Sequence, residues 1–300
     1  MPQGQTVNPD PDAPASTHQT RSAYLDQSVV AYLLYGVGAV TAFLAVALSL
    51  SDAKAALHSS LLAVGLLLAG VSGDRLDGLL GSRNAHWFAY LVLAIAMACI
   101  VSAADFVVTL VGAGLVGFGT GLLLSHLNRT LTRGGGALAR VRMSRSSLVA
   151  MVTTMIVPIA IGIGEASSLG WQVAFVVPAV LVASGSWASR DRTRCATAVS
   201  AAADRLPRGV WLTGWLVVLG VSIEVSLVFW ASSLVERQVG ISLADATLVA
   251  TSFYAGMATT RVAVSFHLLS RLDPVIVMRV GLAVALVGTL LAWMTDDVVY

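Results

Sequence analysis

The sequence predicts an all-α polytopic membrane protein, and three observations carry that reading. The 300 residues are 57% hydrophobic and only 11% charged, with a mean hydropathy of +0.82. A soluble domain carries about 25% charged residues, so this chain has too little polar surface to cover an exterior that faces water. The apolar residues are gathered into nine runs of roughly span length. A hydrocarbon core of ~30 Å takes ~20 residues at ~1.5 Å each, and only a helix satisfies its own backbone groups there. Finally, the basic residues are almost confined to alternate connections between the runs.

Residues 1–28 are rich in Pro, Asp, Gln, Ser and Thr. They lack the basic start and short apolar core of a cleavable signal and read as a disordered cytoplasmic tail. Spans follow at about 29–50, 55–71, 86–101, 106–127, 147–164 and 171–188, which make a first six-helix bundle over 29–188. An Arg-rich cytoplasmic linker occupies 189–209, and 210–300 holds three more spans, at 210–235, 246–266 and 274–294. With the N-terminus inside, 16 of the 18 Lys and Arg residues lie on the cytoplasmic side, and only Lys54 and Arg237 lie outside. The positive-inside rule therefore fixes the orientation and places Tyr300 outside or at the start of a further span. Cys99 sits in an apolar run and Cys195 in the Arg-rich linker, so a disulfide is not expected.

Leu48–Lys54 and Ile241–Thr247 agree at four of seven positions, at an offset of 193 residues. Each follows an odd-numbered span and opens the next one, with Asp52 and Asp245 placed to oppose a helix N-terminal dipole. The match relates span 1 to span 7 with the same sidedness. That is the pattern of a parallel six-span repeat about an axis along the membrane normal.

Between spans 2 and 3 the chain reads Gly70-Val-Ser-Gly-Asp74-Arg75-Leu-Asp77-Gly78. This loop resembles the signature of the major facilitator superfamily: Gly, three residues, Asp-Arg, one residue, Gly, then two basic residues. Gly70, Asp74 and Arg75 match; Asp77 takes the place of the next glycine, and Leu79 and Leu80 replace the basic pair. Gly170–Phe175 is similar to the start of the family's span 6, and Ile223–Trp230 to span 7 of a bacterial subgroup. The drug-antiporter pattern of span 5 is mostly lacking around Pro158. The resemblance implies two six-helix bundles and a cytoplasmic gate at Gly70, Asp74 and Arg75. It also implies a central cavity lined by spans 1, 4, 7 and 10. The family has twelve spans where nine are read here, so the resemblance implies either a chain cut short of spans 10 to 12 or a genuine nine-span form.

Other patterns have plainer readings. Gly112-Ala-Gly114-Leu-Val-Gly117 spells a dinucleotide fingerprint but lies within a span; with Gly121 it reads as a small-residue face for close helix packing. The arginines of 129–145 and 190–208 are topogenic and contact anionic lipid rather than nucleic acid. His126 reads as an interfacial residue, with proton handling as the other option. No catalytic constellation, metal-ligand cluster or phosphate loop is present in the sequence, so neither an enzyme nor any cofactor is expected.

Polar residues inside spans mark membrane sites. Tyr32 and Tyr35 share one face of span 1 and either line a pathway or pack. Ser222, Ser226 and Ser233 lie along one face of span 7, with Glu224 opposite. Arg261 in span 8 lies at a depth within ~6 Å of Glu224, at ~1.5 Å per residue. It either pairs with that carboxyl or snorkels to the cytoplasmic surface. Glu224 and Arg261 are the proton-coupling or charge-pair candidates, and Tyr32, Tyr35, Ser222 and Ser226 the cavity-lining ones. The expected function is secondary active transport of a small solute across the cytoplasmic (inner) membrane, coupled to a proton, by a monomer. The alternative is a truncated or non-transporting membrane scaffold.

Overall fold

A computed structural model describes residues 15–188, 208–265 and 274–295. All regular elements among them are helical: α1 (Thr17–Ala47), α2 (Asp52–Leu80), α3 (Ser82–Ser102), α4 (Phe106–Thr132), α5 (Gly136–Ala166), α6 (Val176–Ala188, preceded by a 3₁₀ turn Trp171–Phe175), α7 (Arg208–Val239), α8 (Leu243–Ser265) and α9 (Pro274–Thr295). Each of the nine apolar runs folds as a helix. Five of the helices, α1 to α5, are long and apolar enough to cross a membrane; a sixth span results if the end of α7 and α8, bent by 118° at their junction, count as one. Of the nine spans expected from hydropathy, five or six meet the length and hydropathy that a span requires among the described residues. The apolar stretch of α6 with its leading turn, Trp171–Trp187, is too short, and those described in α7 and α9 are shorter still.

Two boundaries differ from the sequence reading for local reasons. Ser16 caps α1 through Gln19 N–H at 3.2 Å, and the Gln19 side chain accepts from Ser16 N–H at 3.0 Å. This capping box starts α1 twelve residues before the apolar run, so 17–28 belongs to a helix and not to a tail. Ala23 and Asp26 of this segment are fully buried. Residues 1–14 of the expected tail lie outside the described residues, as does 189–207 of the linker.

The gate segment Gly70–Gly78 is not a loop either. It forms the last turns of α2, and only Gly81, at φ +76°, separates α2 from α3. A left-handed backbone of this kind is open to glycine at little cost. The polar residues of the motif point along a helix, which costs less than exposing unpaired backbone near lipid.

α1 is apolar on all sides and is the most enclosed of the five long helices. It packs on α4, α5, α6, α7 and α2. α4 carries glycines on two faces. A Cβ at Gly117 would lie 2.0 Å from the Leu62 carbonyl oxygen, and one at Gly65 2.1 Å from that of Gly114, so α2 and α4 touch backbone to backbone. Gly112 and Gly119 face α3, where an added Cβ would lie 2.9 and 2.7 Å from the side chains of Ile100 and Leu93. Near the start of α4, His58 Nε2 meets Thr109 Oγ1 at 3.0 Å across the α2–α4 seam.

The paired repeat segments do open helices, but with different caps. Ser51 caps α2 at Lys54 N–H, whereas Ser242, the counterpart of Ser49, caps α8 at Asp245 N–H at 3.1 Å. α8 therefore begins two residues earlier in the repeat.

Candidate functional site

α7 and α8 meet the first six helices where α1 touches α7 and α5 touches α8, and α8 packs on α5 as well as on α7. A small apolar patch of Ala31, Ala150 and Met151, flanked by Met257 and Ala258, seals this junction. Glu224 of α7 enters it, and the Tyr35 hydroxyl of α1 donates to Glu224 Oε1. Tyr254 of α8, 4% exposed, packs edge-on against the Tyr35 ring with centroids 5.9 Å apart. At ~1.5 Å per residue, Tyr35, Glu224 and Tyr254 lie ~18, ~22 and ~16 Å from the helix ends on the side where α7 joins α8. A carboxyl held there by a phenol donor can exchange a proton or a cation without leaving the apolar region, because the hydroxyl stabilises the carboxylate and turns to accept from the acid.

The ends on that side carry an ion pair between α7 and α2. Arg237 of α7 donates to both oxygens of Asp52 at the start of α2, at 2.7 and 3.0 Å, and both side chains are well exposed. Beneath it lies an open cleft of ≈ 170 Å³, lined by Thr41, Trp230, Ser233 and Glu236 among others.

The opposite ends of α1–α4 hold a second polar assembly. Asp77, 4% exposed at its side chain, faces His126 Nε2 at 3.1 Å and Arg129 Nη1 at 2.6 Å. The same guanidinium reaches Asp74 at 2.5 Å. The His126 ring stands edge-on to His86, centroids 5.4 Å apart. His86 Nε2 lies 3.4 Å from Asp26, which also accepts from the Tyr90 hydroxyl at 2.6 Å.

The expected site residues are distributed as follows. Tyr35 and Glu224 come together, although the sequence reading had not joined them. The Arg261 side chain lies outside the described residues, so the partner shown for Glu224 is Tyr35. Tyr32 meets a different neighbour and donates to Ala174 O at 2.5 Å. Ser222 is exposed and bonds back to Val218 O of its own helix, and Ser226 is exposed as well. In the gate motif, Asp74 pairs with Arg129, Arg75 is exposed, and Gly70 has open space beside it. Asp77, set aside as a departure from the motif, is the buried acid at the centre of the assembly. His126 points inward rather than to the interface. Asp26, His86 and Tyr254 were not singled out from the sequence. One signal was available: Asp74/Asp77 and His126/Arg129 are both i, i+3 pairs near helix C-termini, so each pair shares a face.

No protein-family model matches the chain, and no curated protein matches it. What its described residues define is an all-helical protein with at least five helices long and apolar enough to cross a membrane, hence a multi-pass membrane protein.

Proposed function

We propose that the chain is a secondary active transporter of the major facilitator type. In this reading it moves a small solute across the cytoplasmic membrane by alternating access, with its N-terminus inside, and couples the movement to a proton. The observation that carries the reading is the Tyr35–Glu224–Tyr254 contact. There an ionisable group stands where α7 and α8 meet the first six helices, at what this reading takes as mid-depth of the membrane. An ionisable residue in that position is costly unless it serves a pathway. Glu224 is the proton carrier in this proposal. Rocking of α7–α8 against α1–α6 would break the Tyr35 contact and expose Glu224 to alternate sides. The match of Leu48–Lys54 with Ile241–Thr247 supports it, since it makes α1 and α7 equivalent helices of a repeat.

The test is a distance measurement. Spin labels at Ala53→Cys and Gln238→Cys, in a Cys99→Ser, Cys195→Ser background, report the separation of the two groups in lipid nanodiscs. Two populations are expected whose ratio changes between pH 5.5 and 8 (working values about the neutral range), and the change should vanish in Glu224→Gln. A single distance at both pH values would leave a static membrane scaffold as the better description.

A further inference from the structure

The assembly at the opposite ends of α1–α4 lies apart from the Glu224 contact that carries the proposed function. Its side chains grade from surface to core. The side chain of Asp74 is 78% exposed, Arg129 46%, His126 9% and Asp77 4%, and His86 and Asp26 are fully enclosed. Six consecutive side chains from four helices run from water to the interior without an apolar break: Asp74, Arg129, Asp77, His126, His86 and Asp26.

We propose that this chain is a buried proton-binding site whose exchangeable proton is shared by the His126–His86 pair and held by Asp77 and Asp26. Three observations support it together. Imidazole is the one side chain that ordinarily gains and loses a proton near neutral pH, and two of them are in edge contact inside the protein. Each ring presents Nε2 to a different carboxylate, at 3.1 Å for Asp77 and 3.4 Å for Asp26, so a positive charge on either ring has an acid beside it. Arg129 and Asp74 continue the inner four groups to the surface, so a proton carried by water meets polar groups on its way in, while the guanidinium keeps its own protons. The step is a simple uptake: a hydronium ion gives its proton to the ring nitrogen of His126 that does not face Asp77 and leaves as water, and the ring becomes imidazolium.

The charged groups around the pair come from each helix in turn. α1 brings Asp26, α2 brings Asp74 and Asp77, α3 brings His86 and Tyr90, and α4 brings His126 and Arg129. The described part of α6 and its leading turn contain no titratable residue. α5 brings Arg142 to the same end, but its guanidinium donates to the carbonyls of Ala15 and Arg133. The site is therefore made of α1–α4 alone and does not depend on Glu224 being a proton carrier.

The test reads protonation directly. The chain has five histidines. Selective ¹⁵N-histidine labelling of the full chain in nanodiscs, with one His→Gln variant for each, assigns every imidazole. Two unit charges at the 5.4 Å ring separation repel by at least ~0.6 of a pH unit even at the dielectric of water, and more inside the protein. The His86 midpoint should therefore move by ~0.6 unit or more in His126→Gln, and the His126 midpoint likewise in His86→Gln, while His18 stays put. Asp77→Asn, which keeps the side-chain shape, should move the His126 midpoint and serves if a histidine variant folds poorly. The proposal is overturned if neither imidazole titrates between pH 5 and 9 (a window about the ordinary imidazole range). It is equally overturned if each titrates with a midpoint indifferent to the other. Neither result bears on the Glu224 reading, which is tested by distance.

Discussion

Replacing Gly117 by alanine should destabilise the protein, although alanine is the better helix former. The added Cβ would stand 2.0 Å from the Leu62 carbonyl oxygen and 2.8 Å from its carbon, where real Cβ contacts do not fall below 3.0 Å. α2 and α4 must therefore part by about 1.0 Å at this point, the difference between those two values. The obstacle is backbone and cannot rotate away. A gap of ~1 Å forfeits up to about half of the contact energy of the atoms that line it. Overpacking of this kind costs ~1–3 kcal/mol, and a backbone clash belongs at ~3. Helix propensity returns ~1 kcal/mol, which leaves a net loss of ~2 kcal/mol. Gly70, on the same helix as Leu62, has open space beside it, so Gly70→Ala should stabilise by ~0.5–1 kcal/mol. Reversible unfolding in mixed micelles, followed by circular dichroism against SDS fraction, gives both values. If Gly117→Ala unfolds at or above the wild-type denaturant fraction, or if the two variants move together, the backbone contact is not the source of α2–α4 cohesion.

Further expectations concern the polar groups and the sidedness. Tyr35→Phe and Glu224→Gln should be non-additive in stability by ~1 kcal/mol in a double-mutant cycle, since each removes the same charge-assisted bond; additive losses would separate the two residues. Asp77→Ala should cost ~2 kcal/mol, below the ~3–5 of a fully buried pair because Arg129 remains half in water, whereas Asp74→Asn should leave the unfolding midpoint nearly unchanged; the reverse order would mean that the motif acid and not Asp77 organises this end. A cysteine at Gly134 should be shielded from an impermeant maleimide added to intact cells, and one at Ser49 labelled, in the Cys99→Ser, Cys195→Ser background; labelling of the first from outside inverts the proposed orientation.

The positions of the helices were largely legible because span length and hydropathy act over twenty residues at a time. Their ends were not, because ends are set by single residues: the Ser16–Gln19 box begins α1 early, and Gly81 alone stops α2. Whether a helix crosses a membrane is a stricter question than whether it forms, and the apolar stretch of α6 with its leading turn, Trp171–Trp187, is short for a span. Side-chain partners were less legible still. Tyr32 and Tyr35 are three residues apart and were placed on one face, yet α1 is enclosed all round, so each meets a different neighbour. Helical spacing says which residues share a stripe on their own helix; it does not say what stands opposite when every stripe is covered.

Tyr32 shows how such a partner is chosen, and yields a final prediction. Pro178 has no N–H, so it cannot donate to the carbonyl four residues earlier, which is that of Ala174. That segment winds as a 3₁₀ turn, and the unused carbonyl accepts the Tyr32 hydroxyl at 2.5 Å. Both residues are buried, so water cannot substitute. In this account Tyr32 is a tie between α1 and the turn before α6, made necessary by a proline 146 residues away, as the two positions give by subtraction. Tyr32→Phe should then leave a buried acceptor unpaired, at a cost of ~1–3 kcal/mol. Pro178→Ala restores a backbone donor four residues after Ala174, and in that background Tyr32→Phe should cost little more than nothing. The four unfolding measurements of this cycle decide the matter. An equal loss on both backgrounds would show that Tyr32 is held by its apolar packing and that the freed carbonyl is irrelevant to it.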